Sequence, residues 1–181
     1  MAFNVAEFRS NMIGDGARPN LFQVSLTFPS IAANGSLAGQ KATFQAKSAQ
    51  LPGATIGTVP LYYFGRELKF AGNRTFTDWT LQIINDEDFT VRNSLESWMN
   101  AINSHAGNLR NNQAGSPSGY TVDATVTQFG KTGDTLKSYK FVGMFPVDVA
   151  PIDLDWGSND VIEEYAVTFA YQWWEADQTT S

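Results

Sequence analysis

The chain has 181 residues, no cysteine, one histidine and a formal net charge of −6. The missing thiols exclude disulfides, zinc–thiolate centres and cysteine nucleophiles, and His105 alone leaves little acid–base machinery near neutral pH. The acidic balance argues against a general nucleic-acid surface, which needs lysine and arginine to neutralise phosphate.

No apolar run approaches the ~20 residues that a bilayer-spanning helix needs. The first sixteen residues lack the basic-then-apolar pattern of a secretory signal. No membrane insertion is expected. Aromatic residues make up 13% of the chain, a share that favours pleated, half-buried surface and so strands.

Residues 3–13 suit a short amphipathic helix or an arm, with Phe3, Phe8 and Met12 on one side, before the glycines at 14 and 16 break it. Residues 20–29 alternate: Phe22, Val24, Leu26 and Phe28 face one way, Gln23, Ser25 and Thr27 the other. Asn34-Gly35 reads as a turn and 40–48 as the return strand. After Leu51-Pro52-Gly53, residues 54–71 read as a hairpin turning near Gly65-Arg66, with Tyr62, Tyr63, Phe64 and Phe70 close together. Pro60 marks an edge, because proline cannot donate to a ladder, and an edge rich in aromatics needs a cover.

Residues 75–84 alternate again. Residues 87–104 form the one clear helix, capped by Asn85 or Asp86, with Leu95, Trp98, Met99 and Ile102 as its buried stripe. A polar loop at 106–119 leads to strands at 120–129 and 135–145. Residues 152–156 are strand-like, and 161–174 form the last strand. The sum is roughly seven to nine strands and one helix, joined mostly as hairpins. The expected fold is mainly β: an antiparallel sandwich or partly closed barrel with one flanking α-helix. The expected organisation is an N-terminal arm at 1–16, a β domain at 17–175 and a flexible tail at 176–181.

Strand backs carry Ser25, Thr27, Thr80, Gln82, Thr121, Asp123, Thr125 and Thr127, a wettable and weakly charged surface. This suits an ordinary solvated face or the wall of a wide channel. Catalytic signals are thin. Asp153 and Asp155 share a face, but carboxylate pairs of this kind are common at loop edges, as is Glu163/Glu164. Asp148, Asp153, Asp155 and Asp160 lack calcium-loop spacing. His105 suits a helix-end cap. No phosphate-binding glycine motif is present. Trp156, Trp173 and Trp174 offer a stacking platform for a glycan- or protein-binding sandwich, as an alternative. No catalytic residue, cofactor or metal is expected.

Several strings occur in order: Ala17-Arg18-Pro19-Asn20-Leu21-Phe22-Gln23-Val24, Leu51-Pro52, Ala71-Gly72-Asn73-Arg74-Thr75-Phe76-Thr77-Asp78-Trp79, Asn85-Asp86-Glu87, Leu154-Asp155-Trp156-Gly157-Ser158-Asn159, Val167-Thr168-Phe169-Ala170-Tyr171 and Trp174-Glu175. With them the chain resembles the tail tube proteins of contractile-tailed (myovirus-type) bacteriophages over most of 17–29, 41–105 and 135–175. The stretch at 30–39 and the N-terminal arm are longer than that pattern. The resemblance implies a structural virion protein and not an enzyme. It implies homo-hexameric rings, joined sheet edge to sheet edge and stacked into a tube inside a contractile sheath. Its partners would be the sheath, the tape-measure protein, and baseplate and tail terminator proteins. DNA would pass through during ejection without sequence-specific binding. Assembly would occur in the host cytoplasm. A tube from a related contractile injection system, bacteriocin or secretion type, is the alternative. The hairpin after Leu-Pro would reach the neighbouring ring, which makes Tyr62, Tyr63, Phe64 and Arg66 the candidate inter-ring contacts.

Overall fold

The alternating runs become strands whose apolar faces meet in one core. The computed structural model describes residues 4–177 and 179. In chain order the elements are α1 (Val5–Asn11), β1 (Phe22–Leu26), α2 (Gly35–Gln45), β2 (Ala46–Ala49), β3 (Ala54–Tyr63) and β4 (Arg66–Phe76). There follow β5 (Trp79–Ile84), α3 (Thr90–Ile102), α4 (Pro117–Tyr120), β6 (Val122–Phe129), β7 (Thr135–Val149), β8 (Glu164–Ala170) and β9 (Trp173–Ala176). All strand pairs are antiparallel. The main sheet runs β1-β6-β7-β8-β5-β2 and β9 also pairs with β7, while among the described residues β3 and β4 pair only with each other. The mainly β, antiparallel expectation holds. The strand order is a linear path, so the sheet is open.

The sheet bends in β7. The first part of β7 pairs with β6 and β9, and the last part, from Phe145 to Val149, pairs with β8. Between them the register shifts, and Gly143 sits at φ +65. A bulge with a left-handed glycine bends a strand and raises its twist. The Gly143 N–H donates to Asp123 Oδ1 at 3.1 Å, and a Cβ at this position would lie 2.9 Å from Gln172 Cγ.

The core fills the angle between the two halves. Trp79 of β5 stacks on Phe141 of β7 at 4.5 Å, and its Nε1–H donates to the Gln50 carbonyl at 2.8 Å. Leu81, Ile83, Val126, Met144 and Val167 are fully buried around them. α3 lays Val91, Leu95 and Trp98 on this core, at the four- and three-residue spacing of one helix face. Met99 and Ile102 are only half-buried, and Val91 joins the expected stripe. The helix also starts later than expected. Phe89 takes φ +52 after a turn closed by its N–H on the Asp86 carbonyl. Phe89 holds the cap position, and the carboxylate of Asp88 before it accepts from the Thr90 N–H at 3.0 Å.

Three other expectations are corrected. Residues 40–48 are not a return strand: α2 occupies 35–45 and only Ala46–Ala49 is extended. Ala38 and Ala42, one helical turn apart, are buried, while Phe44 is exposed. Gly39 lies so close to β1 that a Cβ would sit 2.8 Å from the Leu26 carbonyl oxygen. Small residues at helical spacing let the backbone pack here, which a short alternating pattern conceals. Residues 152–156 form no strand, and the chain turns with Asp155 Oδ1 accepting from the Gly157 N–H at 3.0 Å. The last strand breaks at Tyr171 and Gln172, so that β8 serves the β5 half and β9 crosses to the other half. β9 ends at Ala176, which is buried, one residue past the expected boundary at 175.

α2 is tied to α3 by charge. Lys41 Nζ donates to Asp86 Oδ2 at 2.8 Å and also to Asp88. Its ammonium and the Thr90 N–H hold the Asp88 carboxyl down to about 2. A depressed carboxyl stabilises the fold above its ordinary range and loses that contribution as pH falls through its folded value. The urea midpoint is therefore expected to drop between pH 4 and pH 2, with a shallower drop in Lys41→Met. Equal slopes in the two chains would remove this tie from the account.

Candidate assembly surfaces

The β3–β4 ribbon has almost no cover. Every residue of β3 is exposed, and in β4 only Gly72 and Phe76 are half-buried. A lone two-stranded ribbon is marginal in water. It is anchored at its base, where Phe76 lies 6.1 Å from the Tyr171 ring and Trp174 Nε1–H donates to the Gly53 carbonyl at 3.1 Å.

The register sorts its side chains. Tyr63 pairs with Arg66, Leu61 with Leu68 and Val59 with Phe70, which puts these six on one face. Tyr62 pairs with Glu67 and Pro60 with Lys69, on the other face. The first face is an apolar strip that ends in a tyrosine and an arginine. Counting from the closing Tyr63–Arg66 pair, Pro60 falls at a non-hydrogen-bonded position, where its missing N–H costs the ladder nothing.

The four expected contact residues all lie at the exposed tip, but not as one surface. Tyr62 faces away from Tyr63 and Arg66. Phe64 and Gly65 form the turn itself, at φ +46 and +76. Two left-handed residues match the twist of the ribbon, and asparagine is the usual first residue of such a turn. A phenylalanine there is strained, yet Phe64 is 92% exposed, edge-on to the Tyr63 ring at 4.6 Å. The turn thus holds an aromatic ring in solvent at a backbone conformation that phenylalanine rarely adopts. Phe64→Asn is expected to relax the turn by ~1 kcal/mol, slowing amide exchange in the hairpin about fivefold while weakening self-association. Unchanged exchange would show that the turn is unstrained.

A second surface escaped sequence reasoning. The loop between β7 and β8 exposes Leu154, Val161 and Ile162, and Trp156 is 100% exposed. A cavity of about 500 Å³ lies in it, walled by Ile152, Leu154, Val161 and Ile162 and edged by Asp153 and Asp155. The signal was present as Leu154, Trp156, Val161 and Ile162 among acids, but it resembled strand. The N-terminal arm is a third surface: Val5, Phe8, Met12 and Ile13 are exposed, and α1 buries nothing. Its expected Phe3 lies outside the described residues.

The polar strand backs line up across the sheet. Ser25 stands opposite Thr125, and Thr127 opposite Ser138, with their hydroxyls 3.2 Å apart in the second pair. Thr80 and Thr168 hydroxyls meet at 3.4 Å. Asp123 on the same face is ion-paired with Lys140 at 2.8 Å. Burial pushes the Asp123 carboxyl up, but Lys140 and the Gly143 N–H outweigh it and hold it below its ordinary value.

Of the other singled-out residues, Glu163 and Glu164 line the same cleft as Asp153 and Asp155. Glu164 is bound by Lys47 at 2.5 Å, and Glu163 accepts from Asn85 Nδ2 at 2.8 Å. Among the described residues no cluster of three acids, histidines or cysteines is placed to hold a metal. His105 is exposed just past the end of α3. Trp173 and Trp174 are consecutive on β9 and face opposite ways; Trp174 packs edge-on against Tyr139 at 5.6 Å.

The chain matches the family model of the phage tail tube protein over residues 17–177. The chain belongs to the phage tail tube protein family. The tail tube protein gp19 of Enterobacteria phage T4 is 35% identical over 163 residues, covering 90% of this chain and 93% of that one. Among solved structures, a chain of the PVC sheath–tube complex, an extracellular contractile injection system in its extended state, superposes with a TM-score of 0.63. It is 16% identical, and 99% of this chain and 100% of that one are covered. A chain of the anti-feeding prophage baseplate, 6-fold symmetrised, gives 0.60 at 15% identity, with 89% and 95% covered. These two show the shared fold. The chain is thus a structural subunit of a phage tail tube.

Proposed function

We propose that six copies of this tail tube protein close into a ring and that rings stack into a hollow tube. Neighbouring copies join sheet edge to sheet edge, which removes the open edges that β1 and β2 leave at the ends of the strand order. The hairpin joins one ring to the next. The observation that carries this reading is the β3–β4 ribbon, exposed on both faces with a clean apolar strip on one. The 6-fold symmetrised baseplate chain of the same fold supports the ring number.

In this reading the tube is assembled in the host cytoplasm around the tape-measure protein. A contractile sheath surrounds it, and baseplate and terminator proteins close its ends. DNA passes through during ejection. The net charge of −6 suits a wall that does not hold a polyanion. The subunit works by assembly and carries out no catalysis. The identity to the phage T4 relative favours a virion tail over an injection machine with protein cargo.

Electron microscopy of the purified chain over a range of concentration and salt tests this. Rings with six-fold averages, and tubes built of them, are the expected result without nucleotide or metal. Monomers throughout, even with tail-initiating components added, would overturn it.

A further inference from the structure

The hairpin and the loop between β7 and β8 attach at opposite ends of one ladder. The β5–β8 ladder runs from Trp79–Phe169 at one end to Ile84–Glu164 at the other. The hairpin joins β5 at the Trp79 end, and the 150–163 loop joins β8 at the Glu164 end. A ladder of this length puts about 17–20 Å between them. Two different surfaces at opposite ends of one sheet suit a head-to-tail contact, which propagates as an open filament and does not close on itself.

Their chemistry matches as well as their placement. The hairpin carries Arg66, Lys69 and Arg74 against one acid, Glu67. The stretch from Asp148 to Glu164 carries six acids and neither lysine nor arginine. Among the described residues Arg66 has no ion pair, and neither do Asp153 and Asp155. Both surfaces expose large apolar side chains beside these charges: Phe64 beside Arg66, and Leu154, Val161 and Ile162 beside the acids. A strip of one sign meeting a strip of the other fixes register, while the apolar contact supplies affinity.

We infer that the hairpin tip of one subunit docks in the 150–163 cleft of the next subunit along the tube. Phe64 enters between Ile152, Leu154, Val161 and Ile162, and Arg66 meets Asp153 and Asp155. This rests on the reading of the hairpin as the contact between rings, and it names the surface that receives it.

The cysteine-free chain makes the test clean. Phe64→Cys with Val161→Cys in one chain, oxidised under tube-forming conditions, should give a covalent ladder on a non-reducing gel, because a disulfide needs Cα atoms within about 7 Å. Phe64→Cys with Phe8→Cys asks whether the arm is the occupant instead. A ladder from that pair and none from the first overturns the docking. Charge reversal gives a readout without cysteine. Arg66→Glu should raise the concentration needed for tubes about tenfold or more, and adding Asp153→Lys and Asp155→Lys should bring it back to within about threefold. A missing ladder together with a failed rescue overturns the docking even if tubes form. The reading of the hairpin itself falls separately, if a chain with its apolar strip removed still polymerises.

Discussion

Val59, Leu61, Leu68 and Phe70 replaced together by serine will leave a folded subunit that no longer forms tubes. In the single chain these four are between 43% and 56% exposed and add little to the core. Covered by a neighbour, each would contribute on the order of 1 kcal/mol, about half the value of a fully exposed side chain, and the contact repeats with every added subunit. Loss of four such side chains therefore acts on assembly and scarcely on the monomer. Sedimentation and electron microscopy should show small species only, while the far-ultraviolet circular dichroism melt of the body stays within a few degrees of the parent chain. Tubes of ordinary length from this variant would end the hairpin account. Tyr62→Ser serves as an internal comparison. It lies on the opposite face, beside Glu67, and its effect should be much smaller than that of the strip.

Trp79→Ala should have the largest effect on the fold itself, costing about 3–5 kcal/mol. Trp79 is only 2% exposed, and its ring joins the two halves of the bent sheet by stacking on Phe141 and meeting Phe169 at 5.7 Å. Its removal leaves a cavity at that joint and an unpartnered Gln50 carbonyl. Against a total stability of ~5–15 kcal/mol, this removes about a third or more of it for a chain in the middle of that range. Trp79→Phe keeps a ring and loses the hydrogen bond, at a cost nearer ~1–3 kcal/mol. Urea unfolding of both variants checks the order. If Trp79→Ala unfolds with the parent midpoint, the joint is held by something else.

The two predictions act on different links of one chain of cause. The core at Trp79 sets the angle between the sheet halves and so the directions in which the hairpin and the 150–163 loop point. The hairpin strip then uses those directions. A variant weakened at Trp79 should lose tubes through loss of fold, and the strip variant should lose them with its fold intact.

Much of this protein was legible from residues alone. Period-2 runs at 20–29 and 120–129 marked strands, because alternation leaves only one face to bury, whereas the run at 75–84 divides between the end of β4 and β5. Leu95 and Trp98 marked α3 by helical spacing. Tyr62, Tyr63 and Phe64 around Gly65 marked an exposed hairpin, and the ordered strings from Ala17 to Glu175 marked the family. The tertiary structure alone decided the rest. Residues 35–45 are helical because Ala38, Gly39 and Ala42 fit closely against β1, a contact between segments that local pattern does not encode. The 152–156 stretch has strand-like residues but no strand beside it to pair with. β7 runs through Pro146 into the second half because Gly143 bends it where Gln172 and Asp123 are waiting. The hairpin's division into an apolar and a mixed face needed the register of Tyr63 on Arg66, since a one-residue slip exchanges the faces. The attachment of hairpin and loop at opposite ends of one sheet needed the β5–β8 ladder. Sequence periodicity reports which side of an element is buried; which element it is buried against depends on contacts between residues far apart in the chain, and only the folded chain contains them.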